Sequence, residues 1–550
     1  MTNSEQVLDV CIVGSGPAGL QAGYFFKKKG VSFRILERSS AVSAFFRTFP
    51  RHRTFISINK VHTGLSNTDT RLRHDWNSLL NDEGLNFGDW SKKYFPNADD
   101  FVDYAETFAQ QLSNDIECDS DVAEISKDDG VFSVLCTNGE IHKARNVIVA
   151  TGVSQPWDPG IEGFGLVDNY FDFDVDPALY ENKRVLIMGK GNSAFETADS
   201  LIEHAASIHV VSPNPIKFAW QTHFVGHLRA VNNNFLDTYQ LKSQNAVIDA
   251  KVHKIEQTNG EYTVHANMNA AEDHDIVLTY DKVIACTGFQ FDNSIFASDI
   301  RPQLRHFDKF PAMTAQWESE TVDGLFFAGT IMQSRDYKKT MSGFVHGFRH
   351  NVKCLAEFIT SRVQNTPYPT VETPLKDLPA SIIERVSTSS GIFLQPGFLA
   401  DVVMLDGDRA GQTYQEVPVE WALEAPGIAD CDFLTVTLEY GDFGGDTLHV
   451  KRSHNVYGDH PDAFIHPVLR YYKAGKLMDA MHLSDHLDAD WRPRSNRDAN
   501  SATVLRITFK DAGKTLPPDE VAMRQTISFL QRNGLLDETH VTDSVSTAAE

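Results

Sequence analysis

Two short apolar runs in this chain of 550 residues each lead directly into a glycine-rich motif. Residues 10–13 precede Gly14-Ser15-Gly16-Pro17-Ala18-Gly19, and residues 185–188 precede Gly189-Lys190-Gly191-Asn192-Ser193-Ala194. A stretch with apolar positions at helical spacing follows each motif, and another apolar run follows each stretch. The pattern therefore predicts two strand–turn–helix–strand units.

The glycines of the first motif indicate a dinucleotide site. In such turns the first glycine makes the tight bend, the second lets the backbone approach a pyrophosphate, and the third lets helix and strand pack closely. The pyrophosphate then rests on the helix N-terminus. The helix predicted over 18–29 and the strand over 32–36 lead to Glu37, a carboxylate placed to bind ribose hydroxyls. This unit should bind FAD or NAD.

The second unit ends without a carboxylate. Its helix is predicted over 192–204, and its next strand, over 207–211, leads to Ser212, with Asn214 and Lys217 nearby. A neutral or basic strand end tolerates a 2′-phosphate, so the sequence predicts NADPH rather than NADH here. A chain that binds two dinucleotides is suited to passing electrons from one to the other.

Three further apolar strands end in threonine and glycine. They are residues 147–150 before Thr151-Gly152, residues 283–286 before Thr287-Gly288, and residues 325–328 before Gly329-Thr330. Their order predicts connections between interleaved domains. The predicted fold is α/β with two Rossmann-like domains: an FAD domain at 1–175 and 291–364, an NADPH domain inserted at 176–290, and a C-terminal α+β region at 365–550.

Other elements are predicted without a chemical motif. They are a helix over 107–113, a strand over 131–136, a helix over 340–362 and a proline-rich linker at 366–374, followed by strands over 434–440 and 502–509 and helices over 467–474 and 518–533. The C-terminal region is expected to cap the site, to mediate dimerisation or to bind a partner, and the pattern does not choose among these roles.

Composition restricts the partners and the thiol chemistry. The formal net charge of −24 disfavours nucleic acid and anionic membrane surfaces as partners, and no apolar run is long enough to span a bilayer. No CxxC pair occurs, so the sequence does not predict the dithiol relay of a thioredoxin reductase. Cysteine and histidine spacing predicts no metal site. The six cysteines are Cys11, Cys118, Cys136, Cys286, Cys354 and Cys431.

Longer strings in the chain resemble a known family. They are residues 49–53, 56–60, 73–78, 191–198, 237–243 and 343–349, and the likeness continues around His466-Pro467-Val468. The order of motifs is similar to that of the two-dinucleotide-binding flavoproteins, which include flavin-containing monooxygenases and the thioredoxin reductase group. Within them, the strings resemble the FAD-dependent oxidoreductase domain-containing family. The resemblance implies FAD at the first motif and NAD(P)H in the inserted domain.

The resemblance to flavin-containing monooxygenases also implies a catalytic asparagine. In those enzymes an Asn between two Tyr/Phe-Pro pairs contacts the flavin and helps to hold its C4a-hydroperoxide. Phe49-Pro50, Asn59 and Tyr94-Phe95-Pro96 reproduce that order. Asn59 is therefore the expected catalytic residue, with Lys60 beside it, and an asparagine that only caps a turn before Lys60 is the alternative.

Asp75 completes the expected catalytic set. It lies in Arg73-His74-Asp75-Trp76, which either lines the pocket over the flavin or forms a structural ion pair. The resemblance also implies that the helix carrying His346 and Arg349 points its N-terminus at the flavin.

The chain departs from the pattern of some monooxygenases in two places. Residues 160–168 lack the FxGxxxH stretch, and Gly329-Thr330 replaces the usual Gly-Asp. Both departures argue against the Baeyer–Villiger and N-hydroxylating subclasses.

The expected cofactors are FAD and NADPH, and the expected function is a single-component flavin monooxygenase that uses O2 and a small-molecule substrate. The alternatives are a non-oxygenating reductase for an external acceptor or protein thiol, a flavin-dependent halogenase, and a redox-sensing protein that binds FAD without turnover. The residues expected to hold the cofactors are Gly14, Gly16, Pro17, Ala18, Gly19, Glu37, Arg38, Phe46, Arg53, Asn59, Thr151, Gly152, Gly189, Gly191, Asn192, Ser193, Ser212, Lys217, Thr287, Gly288, Gly329 and Gly343.

The ends of the chain lead to an expectation about compartment. The family has an endoplasmic reticulum member with a signal peptide and a retention tail, whereas neither pattern occurs in Met1-Thr2-Asn3-Ser4-Glu5 or in Thr547-Ala548-Ala549-Glu550. The sequence therefore predicts a cytoplasmic protein without a membrane partner, and a homodimer is compatible with it.

Overall fold

The computed structural model describes residues 7–240, 244–269, 274–405, 410–445, 447–450, 463–497, 509–511, 514–516 and 518–536. The helices are α1 Pro17–Lys29, α2 Ala44–Thr48, α3 Thr68–Leu72, α4 Ala98–Ala109, α5 Asn192–Leu201, α6 Ala219–Thr222, α7 Asn234–Gln240, α8 Val345–Gln364, α9 Leu378–Thr388, α10 Ser390–Leu394, α11 Val419–Glu424 and α12 Pro518–Arg532. The strands are β1 Leu8–Val13, β2 Phe33–Leu36, β3 Ile116–Glu117, β4 Val122–Asp128, β5 Val131–Cys136, β6 Ile141–Val149, β7 Gln155–Pro156, β8 Asp168–Asn169, β9 Arg184–Met188, β10 Ser207–Ser212, β11 Ala246–Thr258, β12 Glu261–Met268, β13 His274–Tyr280, β14 Lys282–Ala285, β15 Phe289–Gln290, β16 Leu304–Arg305, β17 Phe310–Pro311, β18 Leu325–Phe327, β19 Val371–Pro374, β20 Leu399–Leu405, β21 Ala410–Pro418, β22 Asp432–Glu439, β23 His466–Lys473, β24 Lys476–His482, β25 Phe509–Asp511 and β26 Lys514–Leu516.

The first sheet has the strand order β3-β2-β1-β6-β5-β4, with β18 paired to β6. Strand β1 lies between β2 and β6 and is parallel to both, and β18 is also parallel to β6. The carboxyl ends of β1, β2 and β6 therefore meet at one edge, which is where open α/β sheets bind their ligands. The Val-Ile-Leu-rich segments become strands because a parallel sheet covered by helices is buried on both faces.

The second sheet has the order β13-β12-β11-β10-β9-β14-β8 and comes from residues 168–285, between strands of the first sheet along the chain. Strand β9, in the middle of its parallel part, is parallel to its neighbours β10 and β14. Each of the two sheets thus carries one glycine-rich turn at the carboxyl end of its central parallel strand. The α/β fold class predicted from the sequence is confirmed.

The third sheet is antiparallel, with the order β19-β21-β20-β22-β23-β24. The predicted helix over 467–474 is wrong, because this segment forms β23, hydrogen-bonded between β22 and β24. Val468 and Leu469 point to opposite faces of the sheet, and both are fully buried. A strand buried on both faces reads as a continuous apolar run, which periodicity does not separate from a helix.

Several other predicted elements are found with changed bounds. The helix expected over 107–113 is the end of α4 and a 3₁₀ turn, and the helix expected over 340–362 begins at Val345. Part of the linker expected at 366–374 forms β19, which pairs with β21. Of the strand predicted over 502–509, residues 502–508 lie outside the described residues and Phe509 begins β25, and α12 confirms the last predicted helix. Among the described residues, no helix has the length and apolarity that crossing a membrane requires.

Candidate dinucleotide and active site

A cleft of about 870 Å³ opens at the carboxyl ends of β1, β2 and β6. Gly14 and Gly16 line it after β1, Glu37 and Arg38 line it after β2, and Thr151 lines it after β6. The cleft is therefore built where the strand order places the first dinucleotide site.

The glycine spacing fits a dinucleotide in this cleft. A Cβ added to Gly19 would meet the Gly14 carbonyl oxygen at 1.9 Å, so the third glycine is what allows α1 to pack against the turn. A Cβ added to Gly16 would lie within 4 Å of no other described atom, which leaves room for a pyrophosphate beside the α1 N-terminus. Pro17 begins that helix, and no side chain caps it. The buried Thr151 hydroxyl has no hydrogen-bond partner among the described residues.

Glu37 fits the predicted ribose contact. Its side chain is buried at the cleft wall, where Oε2 accepts hydrogen bonds from the backbone N–H and the hydroxyl of Ser15, at 2.9 and 2.7 Å. Oε1 accepts one from the Ser39 N–H at 3.0 Å. These bonds hold the carboxylate at the strand end and leave lone pairs for the hydroxyls of a ribose.

Five other expected FAD residues are not among those that line this cleft: Phe46, Arg53, Gly152, Gly329 and Gly343. Phe46 packs against Phe55 and Phe101. Arg53 donates hydrogen bonds to the Phe46 carbonyl oxygen and to Asp99, so it anchors α2 to α4. Three of the expected residues are glycines, and Gly152 directly follows Thr151. A Cβ added to Gly329 would lie 2.9 Å from the Ala18 Cβ, and one added to Gly343 would lie 3.0 Å from the Gln333 side chain.

The second glycine-rich turn repeats the geometry of the first. Gly189 has a φ of +128°, and a Cβ there would lie 2.3 Å from the Cys286 carbonyl oxygen. Gly191 faces open space at the start of α5. The third position is Ala194, which is fully buried. Together these features fit a second pyrophosphate at the α5 N-terminus.

The side-chain amide of Asn192 forms hydrogen bonds to the loop over residues 226–232. Its Nδ2 donates to the His227 carbonyl oxygen at 2.9 Å, and its Oδ1 accepts from the Arg229 N–H at 2.9 Å. Ser193 contributes its carbonyl oxygen, which accepts from the Thr197 hydroxyl at 2.8 Å. The loop over residues 226–232 is thereby fixed above the second turn.

A charge pair that the sequence pattern does not indicate lies at the end of β10. Ser212 and the exposed Lys217 lie there as predicted, but the register also brings Asp249 of β11 opposite Ser212. The Lys190 side chain, only 4% exposed, forms an ion pair with Asp249 and also contacts the Ser212 carbonyl oxygen at 3.2 Å. Because Asp249 lies 37 positions beyond Ser212 in the numbering, only the strand pairing reveals it.

The Thr287-Gly288 turn follows β14, which lies on the opposite side of β9 from β10. The Thr287 hydroxyl donates to the Trp157 carbonyl oxygen at 2.8 Å, and Gly288 adopts a φ of +98°. The ammonium of Lys309 lies 3.8 Å from the Trp157 ring centroid, and a Cβ added to Gly288 would lie 3.7 Å from that ammonium. Burial, with Lys338 adding repulsion, lowers the pKa of Lys309 to about 8.

The three expected catalytic residues lie together but differ in exposure. Asn59 is buried, and its Nδ2 donates to the carbonyl oxygens of Ser91 at 2.7 Å and Lys93 at 3.3 Å. Lys60 is exposed. Asp75 bridges to Asn59 through the backbone, and its Oδ1 accepts from the Ser78 N–H at 2.9 Å.

Asp75 therefore shapes a turn, and the structure shows no ion pair between its carboxylate and Arg73 or His74, the alternative that the sequence left open. Arg73 instead points away into the C-terminal region. There its guanidinium donates to the carbonyl oxygens of Val386, Ser389 and Ala489 at 2.8–3.1 Å.

Trp76, His346 and Arg229 form a contact between the first two units. The rings of Trp76 and His346 stack with centroids 4.3 Å apart, and the Arg229 guanidinium lies 5.6 Å from the Trp76 ring. Arg229 also donates to the Ile56 carbonyl oxygen at 2.7 Å. The fixed loop over 226–232 thereby covers the α8 N-terminus.

The six cysteines all lie in the described part of the chain, and none forms a disulfide. Cys11, Cys136, Cys286 and Cys354 are buried. Burial is the main cause that raises the pKa of Cys136 to about 11 and that of Cys354 to about 12. These thiols are therefore poor nucleophiles.

Comparisons with known proteins agree with this architecture. Residues 11–329 match the family described as Pyridine nucleotide-disulphide oxidoreductase. The chain is 35% identical over 520 residues to the FAD-dependent oxidoreductase domain-containing protein 2 of Danio rerio, which covers 84% of this chain and 76% of that protein.

Two solved structures share the fold over 65% of this chain. One is the bacillithiol disulfide reductase of Bacillus cereus, with a TM-score of 0.51, 20% identity and full coverage of that chain. The other is a flavin-containing monooxygenase from Stenotrophomonas maltophilia, with a TM-score of 0.50, 18% identity and 99% coverage. FAD and NADPH, the cofactors expected from the two turns together with the family resemblance, are those of the matched family. The chain belongs to the pyridine nucleotide-disulphide oxidoreductases, among the FAD-dependent oxidoreductase domain-containing flavoproteins.

Proposed function

We propose that this chain is an NADPH-dependent flavin monooxygenase that oxygenates a small metabolite. Bound FAD supplies the redox chemistry, since it accepts hydride from NADPH and reacts with oxygen in its reduced form. Each turnover then consumes one NADPH, one proton and one O2, places one oxygen atom in the substrate and releases the other as water.

The placement of the cysteines is the observation that carries this proposal. A disulfide reductase passes electrons from flavin to a nearby pair of thiols. Here all six cysteines are free thiols, and four of them are buried. This arrangement favours direct transfer from the flavin to an acceptor that is not part of the chain.

The cover over the α8 N-terminus favours a small acceptor. The loop over 226–232 is held by Asn192 from one side and by the bond from Arg229 to the Ile56 carbonyl oxygen from the other. A protein disulfide would require this cover to move, whereas oxygen and a small metabolite need only a narrow path. Exclusion of bulk water also suits oxygen insertion, because it protects reactive intermediates from side reactions.

One observation favours a second candidate, a non-oxygenating NADPH reductase for a small acceptor. The Asn59 amide, expected to hydrogen-bond at the flavin edge, already donates to the carbonyl oxygens of Ser91 and Lys93. If those bonds persist with FAD bound, this side chain has no N–H left for an oxygenated flavin. The reductase needs no such contact.

Labelled oxygen separates the two functions. The FAD-loaded protein is incubated with NADPH, ¹⁸O2 and a panel of amine, sulfide, ketone and phenol probes, and products are examined by mass spectrometry. A monooxygenase gives a product that carries one ¹⁸O atom, in a ratio to consumed NADPH that rises toward one with a good substrate. Unlabelled probes together with fast anaerobic reduction of menadione would instead establish the reductase.

A paired cysteine variant serves as the control. Cys118 is half-buried and Cys431 is exposed, so these are the thiols that an external disulfide reaches most easily. The double variant C118S/C431S should retain the wild-type rate of NADPH oxidation. Loss of turnover in this variant would point to thiol chemistry and contradict direct transfer.

A further inference from the structure

Three side chains that can bind a metal ion meet beside the first sheet. Glu140 directly precedes β6 and His142 is its second residue, so their side chains point to the same face of the β5–β6 hairpin. Glu117, at the end of β3, faces them, and one ligand atom from each of the three residues lies within 4.8 Å of the other two. Some point therefore lies within roughly 2.8 Å of all three atoms, and small side-chain rotations would shorten this to the ~2.0–2.2 Å of zinc bonds to nitrogen and oxygen.

The imidazole of His142 has an unmet bonding requirement at this point. Its side chain is 18% exposed, yet the Nε2 atom is buried and has no hydrogen-bond partner among the described residues. Glu117 Oε1 lies 3.7 Å from that nitrogen, which is beyond hydrogen-bond distance. Buried polar atoms without a partner are uncommon in native proteins. The nitrogen thus points into a space that it shares with carboxylates but does not bond to either.

Neighbouring side chains orient the two carboxylates. Glu117 Oε2 lies 3.9 Å from the Arg34 guanidinium, and Oε1 of the same group faces His142. Glu140 Oε2 accepts a hydrogen bond from the Asn138 side chain at 3.0 Å. Two carboxylates at this separation repel each other. A divalent cation between them would remove that repulsion and would also bond to the unpartnered nitrogen.

An ordinary contact between histidine and glutamate elsewhere in the chain looks different. His265 Nε2 lies 2.9 Å from Glu256 Oε2, at hydrogen-bond distance. Over the described ranges, no third metal-ligating side chain joins this pair. A histidine that only pairs with a carboxylate can therefore touch it directly, whereas the atoms of Glu117, Glu140 and His142 stay apart around a common centre.

We propose that Glu117, Glu140 and His142 bind one divalent transition-metal ion of the Zn²⁺ type, with water completing its coordination. The imidazole nitrogen favours Zn²⁺ over Mg²⁺ and Ca²⁺, and carboxylate oxygens are common zinc ligands. The ion has a structural role, because it joins the hairpin to β3, where the Glu117 carbonyl oxygen accepts a hydrogen bond from the Glu37 N–H at 2.9 Å. Glu117 lies 23 positions before Glu140 in the numbering, so only the folded chain reveals the site.

Titration with Zn²⁺ alone tests the site without depending on turnover. The FAD-loaded full chain is freed of metal with a chelator, and Zn²⁺ binding is followed by calorimetry near neutral pH. The chain has 21 histidines, so weak zinc binding elsewhere is expected, and variants must identify the site. The variants are His142→Gln and Glu140→Gln, and the matched control is His265→Gln.

Wild type and His265→Gln should bind one Zn²⁺ ion more tightly than the background. His142→Gln and Glu140→Gln should each raise the dissociation constant of that ion at least about tenfold, because each removes a direct ligand. Mg²⁺, titrated in the same way, should bind at least about tenfold more weakly than Zn²⁺.

Two results would overturn the proposal: a wild-type titration with no single tight step, or a tight step that both variants retain with unchanged affinity. Should His142→Gln not fold, Glu140→Gln decides alone, since Glu140 is exposed and its replacement leaves the hairpin packing in place. Because the measurement uses neither NADPH nor oxygen, its outcome is independent of the proposed function.

Discussion

Glu196 lies on the second dinucleotide helix, α5, and its carboxyl group accepts a hydrogen bond from the Tyr170 hydroxyl. Burial, with a smaller contribution from Asp199, raises the pKa of Glu196 to about 7. The folded protein therefore holds a proton here at pH values at which the unfolded chain, with an ordinary pKa of about 4.5, has lost it. Above pH 7 the folded state carries a charge that its surroundings disfavour.

Because the pKa of Glu196 is higher in the folded state than in the unfolded state, the stability of wild type should fall with rising pH relative to a Glu196→Gln variant. Below pH 4.5 the carboxyl is protonated in both states, so the variant and wild type should be similarly stable. Between pH 4.5 and 7 wild type loses up to about 1.4 kcal/mol for each pH unit, because its folded state binds more protons than its unfolded state. The variant does not titrate, so its advantage should grow to about 3 kcal/mol at most and then level off. Urea unfolding from pH 4.5 to 8 measures this difference, and a difference that stays constant with pH would contradict it.

At the scale of the element, two glycines of the tight turn between β1 and α1 have different roles: Gly19 is needed for folding, and Gly16 is needed for binding. Gly19→Ala places a methyl group 1.9 Å from the Gly14 carbonyl oxygen, and backbone on both sides prevents an easy adjustment. This substitution should lower the free energy of unfolding of the apoprotein by about 2 kcal/mol or more. Thermal unfolding of the apoprotein measures the loss.

Gly16→Ala is the matched control in the same turn. A Cβ at this position meets no described atom within 4 Å, so the apoprotein should unfold at nearly the wild-type temperature. The added methyl group occupies the space where the pyrophosphate approaches the backbone. FAD titration should therefore show weaker binding in this variant. If Gly16→Ala and Gly19→Ala lowered the stability of the apoprotein equally, Gly16 would also be needed for folding, and this assignment of roles would be wrong.

The dinucleotide turns were predictable because their information is local. An apolar strand, three small residues at fixed spacing and a helix are consecutive in the chain, over residues 8–29 in the first unit and 184–201 in the second, and Glu37 follows the first at the end of the next strand. The ion pair between Lys190 and Asp249 was not predictable, because strand pairing alone brings β11 beside β10. The segment that forms β23 was misread for a related reason: its apolar residues are buried on both faces by β-sheet neighbours distant in sequence. Similarly, the backbone partners of Asn59 depend on where the chain over 91–93 folds back.

At the scale of the whole molecule, buried polar groups join the C-terminal region to the first unit. Arg349 of α8 donates to the carbonyl oxygens of Leu72 and Ser78, each at 2.7 Å. Lys353, one turn later on α8, forms an ion pair with the buried Glu416 of β21 at 3.1 Å. The loop over 72–78, which carries Asp75 and Trp76, is thus held from one side by α8 and from the other by the C-terminal region.

Arg73 attaches the loop over 72–78 to the C-terminal region. Replacing it therefore measures how much this attachment contributes to stability. Arg73 is 3% exposed, and its guanidinium donates to the carbonyl oxygens of Val386, Ser389 and Ala489 and lies 4.6 Å from the Phe393 ring centroid. Arg73→Met keeps much of the packing volume but leaves those buried carbonyl groups without their donor. The free energy of unfolding should fall by about 2–4 kcal/mol, measured by urea denaturation.

A matched control lies two residues away and tests whether this effect comes from the interface. The Arg71 side chain is exposed and donates to the hydroxyl of its neighbour Thr68 at 3.3 Å, so Arg71→Met should change stability by less than about 0.5 kcal/mol. In Arg73→Met, limited proteolysis should cut first near residues 366–370, which connect α8 to the third sheet, because weaker docking exposes that connection before the dinucleotide-binding units unfold. Cleavage at wild-type sites and rates, with stability equal to that of Arg71→Met, would mean that Arg73 does not bind the two parts together. The loop that carries Trp76 would then be held by Arg349 and by its backbone bonds to residues 58–60.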